Sequence, residues 1–364
     1  MLNGIRIIEI EGLGPGPFAA MTLADLGAEV IVIHRKGGAS ITGDAGGALL
    51  DRGKRSIALD LKDADDLQTA KDLIASADGL IEGFRPGVME KLGLGPDVCH
   101  AINPKLVFGR MTGWGQSGPL SQAAGHDMNY ISMSGAMWYS SAPGDVPMPP
   151  ATLVGDIGGG AMYLVAGMLA ALISAGRTGE GTVVDAAIYD GSAHMMNLLI
   201  GLRQIGQLSD TRGRSLLDGP HWSHTYACAD GGFMSVQCLE PQFYALFLQI
   251  LELTEDPEFK QQMNKKLWPA LTKRLAGLFA RHPRAHWEAV FVGTDACVAP
   301  VLTPTESAAH EMNQARQVWR DVDGTLQAAA APRFSTHDWQ PKPSPARGQD
   351  SDEILKEIKA SQSG

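Results

Sequence analysis

The chain has 364 residues, 44% hydrophobic and 19% charged, with a formal net charge of −10. This composition argues against long disorder, and the length exceeds what a single core usually supports, so two domains are expected. The acidic balance disfavours a nucleic-acid binder and requires that any anionic ligand be held by local positive groups; the four cysteines, Cys99, Cys228, Cys238 and Cys297, show no CxxC or metal-ligand spacing and read as reduced thiols with no metal.

In chain order, residues 4–10 form a β-branched run that reads as a strand, followed by the tight loop Gly12-Leu13-Gly14-Pro15-Gly16-Pro17. A helix over 18–26, closed by Gly27, and a strand over 28–33 complete a βαβ unit, so a parallel sheet covered by helices is expected. Further strands at 56–59, 79–82 and 106–109, with a helix over 63–77, extend it to a doubly wound α/β fold. A nicotinamide dinucleotide site fits poorly. Pro17 stands where the third glycine of the fingerprint belongs, and the second strand ends in His34-Arg35-Lys36 rather than an acid. Basic strand ends suit phosphates. Arg35, Arg52, Lys54, Arg55, Lys62, Arg85 and Lys91 all fall at or beside them, and together they are expected to cradle a polyphosphate.

Residues 157–176 carry no charge, but half are Gly or Ala and Asp156 abuts them, so a buried helix is expected rather than a membrane span. A turn, a strand over 182–187 and a Met-rich helical stretch over 194–206 follow. Beyond an irregular aromatic segment at 218–226, a strand at 232–237 and helices at 242–253, 269–280 and 284–290 suggest a small α+β domain. The tail from Pro332 reads as extended, with a closing helix over 352–360. Residues 1–10 do not read as a signal peptide, and Ala360-Ser361-Gln362-Ser363-Gly364 is not a peroxisomal address, so the cytoplasm is expected.

Two polar, Gly-rich segments hold the candidate chemistry: Gly125-His126-Asp127-Met128-Asn129-Tyr130 and Gly155-Asp156-Ile157-Gly158-Gly159-Gly160. Taken singly, His126 reads as a structural histidine and Asp156 as the N-cap of the helix after it. As a pair, an imidazole and a carboxylate are what a reaction needs when one proton leaves a carbon and another arrives.

With these segments side by side, the chain resembles the family III CoA-transferase superfamily, and within it the alpha-methylacyl-CoA racemase branch. The resemblance runs over nearly the whole length. It rests on the 12–17 loop, Arg52-Gly53-Lys54-Arg55-Ser56, Phe84-Arg85-Pro86-Gly87, Met111-Thr112-Gly113-Trp114-Gly115-Gln116, Gly125-His126-Asp127, Leu153-Val154-Gly155-Asp156, Asp185-Ala186-Ala187, Glu240-Pro241-Gln242-Phe243-Tyr244 and Asp295-Ala296-Cys297-Val298. It implies a large Rossmann-like domain over 1–190 completed by 325–364, connecting helices over 191–220, a small domain over 221–324, and an interlocked homodimer with sites between subunits.

The reaction implied is epimerisation at C2 of a 2-methylacyl-CoA thioester, with His126 and Asp156 as the two bases and Glu240 supporting the histidine. A CoA moiety would be held by Arg35, Leu59, Asp60, Leu61, Lys62, Gly83, Phe84, Arg85, Lys91, Gly125, Asp127, Met128, Asn129 and Tyr130. Because CoA belongs to the substrate, no separate cofactor is implied, nor any nucleic-acid or membrane partner. Two rivals remain: a CoA-transferase in which Asp156 attacks the thioester as a nucleophile, and a non-catalytic acyl-CoA binder. His126 speaks against the first, since a transferase has little use for a second base. The chain departs from racemases at Thr152, often Asn there, and in the 219–226 segment, where His224 replaces an acidic residue and substrate range is therefore open.

Overall fold

Adjacent apolar residues in one strand must serve opposite faces of a sheet, because side chains alternate along extended backbone. The computed structural model, which describes residues 1–38, 49–322 and 324–362, shows this in strand β1 (Arg6–Ile10). Ile7 packs with Leu23, Leu164 and Met168 on one face, and Ile8 with Ile57, Ile74 and Ile354 on the other. Five more parallel strands continue the sheet: β2 (Glu29–Arg35), β3 (Arg55–Leu59), β4 (Gly79–Glu82), β5 (Val107–Thr112) and β6 (Thr182–Ala187). Their spatial order is β3-β2-β1-β4-β5-β6. The order reverses between β1 and β4, so the loops leaving those two strands flank a crevice at the carboxyl edge.

Helix α1 (Pro15–Asp25) lies on the first face, and α2 (Ala64–Ala75) on the second. The side chain of Asp63 caps α2 by accepting from the amides of Asp65 and Asp66, which explains its start one residue later than expected. Helix α3 (Val88–Lys91) and helix α4 (Pro96–Ile102) follow β4, and α5 (Asp127–Ser134) follows β5. A helical stretch over Leu153–Thr178 is long and apolar enough, by length and composition, to cross a membrane. Its later part, α6 (Met162–Thr178), buries Leu164, Val165, Met168, Ala171 and Ala175 in the core of the first face. Helix α7 (Ile188–Met195) succeeds β6, and the Met-rich stretch breaks after it, with a separate helix over Asn197–Gln204.

The chain divides into two compact units. One comprises Met1–Met137, Pro149–Met196 and Gln314–Gly364; the other comprises Trp138–Met148 and Asn197–Asn313. The second is built on an antiparallel sheet ordered β7 (Ser223–Ala227), β8 (Phe233–Gln237), β9 (Val298–Val301), against helices Pro241–Ile250, Trp268–Phe279 and Arg284–Phe291. His224 lies within β7, where burial lowers its proton affinity. The four cysteines are all unpaired.

The polyphosphate cradle expected of seven basic residues loses three to the fold. Lys54, with its side chain fully buried, binds the buried Glu9 at 2.5 Å and Asp51 at 3.2 Å. Burial pushes the Glu9 carboxyl up, against the pull of Lys54. Arg52 forks onto Asp25 at 2.6 Å and donates to the carbonyl of Ala328 at 2.7 Å, and Arg55 pairs with Glu29 and Glu357, each at 2.7 Å. These residues precede or open β3 at its amino end, away from the strand ends that open sheets use for ligands. Replacing Lys54 by Met keeps its bulk and leaves Glu9 buried without a cation. Urea unfolding should show a loss of about 3–5 kcal/mol, largely recovered by adding Glu9→Gln. A loss below about 1 kcal/mol would mean that the pair is not isolated from water.

Candidate active site

Loops at the carboxyl edge of the large sheet enclose two clefts that share Gly83 and Phe84. The larger, about 710 Å³, is walled by Glu11, Gly12 and Leu13 after β1, by His34 and Arg35 at the end of β2, by Leu59, Asp60, Leu61 and Lys62 after β3, and by Arg347 from the tail. The smaller, about 220 Å³, continues past Arg85 to Trp114, Gly125, His126 and Tyr130. The structure therefore brings together Arg35, Leu59 to Lys62, Gly83 to Arg85, Gly125, His126 and Tyr130. Lys91, Met128 and Asn129 are exposed but line neither cleft, and Asp127 is buried behind it. Among the described residues, Arg35, Lys62, Arg85 and Lys91 form no side-chain ion pair, so their charge is available to an anion.

Tyr130 sets the wall of the smaller cleft. Its ring stands edge-on to Trp114, with centroids 4.7 Å apart, and its hydroxyl donates to the carbonyl of Gly125. Burial, and after it the Asp156 carboxylate, pushes the phenol's pKa up, while Arg85 acts in the opposite direction. The phenol thus lies within electrostatic reach of both.

His126 occupies the N-cap position of α5 in extended conformation, and its imidazole is exposed. The Asn129 side chain accepts from the His126 amide at 3.0 Å and so fixes the entry to the helix. Asp156 does not cap a helix, contrary to the expectation above. It sits inside a π-helical segment, Leu153–Ala161, entered through Thr152 at φ 66°. Three glycines offer no side chains to hold a tighter helix, and the wide turns let the segment close on its neighbours. Gly155 shows how close: a Cβ there would lie 2.4 Å from Oδ1 of Asp127 and 2.8 Å from Ile131. That oxygen accepts from the Asp156 amide at 2.9 Å. Oδ2 of Asp127 is buried and receives no hydrogen bond from a described residue.

Asp156 is half-buried, and its carboxylate faces Gly14, where a Cβ would stand 3.9 Å from Oδ2. Gly14 holds φ 65°, a conformation that favours glycine and turns the β1 loop past the acid. Burial, then the charge of Asp127, raises the Asp156 pKa to about 6, with His126 pulling it back. The carboxylate therefore lies within electrostatic reach of the imidazole and can exchange a proton near pH 6. Glu240 belongs to the other unit, exposed at the N-cap position of helix Pro241–Ile250.

Sequence reasoning missed Glu11, Trp114 and Arg347 as cleft residues. The strand-end rule would have found Glu11, because it follows β1. Nothing local marks Arg347. The indole N–H of Trp114 is buried without a partner among the described residues, on the wall of the smaller cleft.

The sequence model of CoA-transferase family III matches residues 2–351. The chain is 41% identical over 367 residues to alpha-methylacyl-CoA racemase of Mus musculus, covering 100% of this chain and 94% of that protein. It is 39% identical over 369 residues to alpha-methylacyl-CoA racemase of Homo sapiens, covering 98% and 93%. Its structure resembles the crystal structure of a CaiB/BaiF family protein from Brucella suis with a TM-score of 0.82 at 26% identity, covering 98% of each chain.

A carboxyl with a raised folded-state pKa binds its proton more tightly folded than unfolded, so stability falls as pH rises from about 4 to about 6 and stays reduced above. Asp156→Asn removes that cost. The variant should melt at a higher temperature than the parent at pH 7.5, with the difference vanishing below pH 4. Equal melting at pH 7.5 would show that the carboxylate is not desolvated.

Proposed function

The chain belongs to CoA-transferase family III, and on that premise we propose that it interconverts the (2R) and (2S) forms of 2-methylacyl-CoA thioesters by proton transfer at C2. The observation that carries this reading is His126 on the wall of the smaller cleft, within electrostatic reach of Asp156, beside a larger cleft in which Arg35 and Lys62 carry no ion pair among the described residues. The larger cleft suits the nucleotide phosphates of CoA, and the thioester would then reach the pair through the shared Gly83 and Phe84.

The proton on C2 is only weakly acidic, so the enolate oxygen needs charge stabilisation as it develops. The N-terminus of α5 supplies a partial positive charge at His126, and the first amide of that helix, Asp127 N–H, has no partner among the described residues. One base takes the proton from one face and the other base returns one to the opposite face. In the reverse direction they exchange roles. The raised affinity of Asp156 suits both giving and taking a proton near neutral pH. No electron acceptor enters the balance, so the reaction as proposed uses no cofactor besides the CoA of its substrate.

We assign Glu240 to orienting the imidazole of His126, in a cytoplasmic homodimer with a large Rossmann-like domain and a small α+β domain. Exposed apolar side chains on the first unit, Met133, Leu153, Met162 and Ile173, support an assembly that covers them. The Met128, Asn129 and Lys91 contacts expected for CoA would then involve ligand atoms outside the two clefts.

Incubating a single epimer of a 2-methylacyl-CoA in D₂O tests the proposal. Deuterium should enter C2 and both epimers should form, while His126→Ala and Asp156→Ala each lower the rate at least about 100-fold with CoA affinity retained. Transfer of CoA to an added carboxylate without exchange at C2 would instead make Asp156 the nucleophile of a transferase.

A further inference from the structure

The larger cleft contains an ion pair that the site as described does not use. Arg347 forks onto Glu11 with both terminal nitrogens, one at 2.9 Å from Oε2, and the amide of Arg35 donates to the same oxygen at 2.9 Å. All three residues wall the cleft together with Lys62. We propose that Arg347, delivered by the C-terminal tail, is a ligand for the phosphates of the substrate's nucleotide, and that Glu11 is its resident counter-ion, exchanged when the ligand enters. This rests on the acyl-CoA reading of the cleft.

Two observations argue against a mere tether for the tail. The residues after Arg347 are already pinned to β3. Gly348 donates to Oγ of Ser56 at 2.7 Å, and Asp350 donates to the Ser56 carbonyl at 2.9 Å. Ser56 in turn donates its amide to the Asp350 carboxylate at 2.7 Å, and Ala58 donates to Oγ of Ser351 at 3.3 Å. Four contacts fix the backbone beside Arg347 without help from Glu11. The second observation is electrostatic. A lone carboxylate in the wall of an anion-binding cleft would repel the ligand, whereas one paired to an arginine is silent until a stronger anion arrives. The planar guanidinium suits a phosphate as well as a carboxylate, and Glu11 keeps the Arg35 amide after the exchange. Both partners are about one-quarter exposed, with side-chain values of 23% and 27%, so an entering ligand can reach them.

Calorimetric titration with CoA at low and high salt tests this on the full-length protein, comparing the parent with Arg347→Gln, Arg347→Lys and Glu11→Gln. Arg347→Gln should weaken CoA about tenfold or more and flatten the salt dependence, Arg347→Lys should fall between, and Glu11→Gln should leave affinity equal or tighter. The opposite signs are decisive, because both Gln variants break the same ion pair. Equal weakening by both, with matching falls in melting temperature, would make the pair a tether and overturn the proposal. Unchanged affinity in Arg347→Gln would overturn it also, leaving the acyl-CoA reading intact. A parent protein that does not bind CoA would overturn that reading itself.

Discussion

One hydrogen bond organises the segment that holds the candidate acid: the Asp156 amide onto Oδ1 of Asp127. It joins the π-helical segment to the first turn of α5 across 29 residues of sequence, and only a glycine at 155 permits the approach. The same contact brings a second carboxylate beside Asp156, with one oxygen buried and without a partner among the described residues. An arrangement chosen for stability alone would satisfy that oxygen or replace it. Burial first, and that second charge after it, give a carboxyl that holds a proton up to about pH 6, within electrostatic reach of an exposed imidazole. Strain at Thr152, in the left-handed region at the start of the segment, belongs to the same economy.

Charge is sorted by position along the strands. Cations at the amino ends and inside the sheet, Lys54, Arg52 and Arg110, are buried and committed to acids of the fold. Those at the carboxyl ends, Arg35, Lys62 and Arg85, are exposed and carry no ion pair among the described residues. A protein with net charge −10 can thus hold an anion without a basic surface, because the field that matters is local to the crevice. Glu82, buried and bound to Arg110 at 3.0 Å, accepts from the Phe84 amide at 2.7 Å and so shapes the loop shared by both clefts. The buried Arg110 thus acts on the loop that carries the exposed Arg85.

The parallel sheet was legible because β-branched runs, a glycine-closed helix and short loops repeat in order, and the strand-end rule then located most of the cleft. The π-helical segment was not. A run of three glycines reads as loop or helix entry, and only the packing of Gly155, Gly159 and Gly160 against α5 and α7 shows why it stays helical with wide turns. The cradle was over-read because the acids that claim Arg52, Lys54 and Arg55, among them Asp25, Glu9 and Glu357, are distant in sequence. Arg347 lay beyond reach, since its neighbour across the cleft is 336 residues away.

Family III scaffolds pose a chemical choice at the aspartate, since a carboxylate beside a thioester can attack its carbonyl or take its α-proton. Attack requires an ionised, well-exposed oxygen aimed at the carbonyl carbon. Here the Asp156 carboxylate is half-buried and its ionisation is opposed by Asp127, which lowers the fraction available as a nucleophile below pH 6 and favours a proton carrier. On the proposed reading, the imidazole of His126 would supply what nucleophilic attack does not need, a second group to close the proton cycle from the other face. Whichever base begins on that reading, the enolate would form against the positive end of α5, so both directions of the interconversion would draw on one stabilising element.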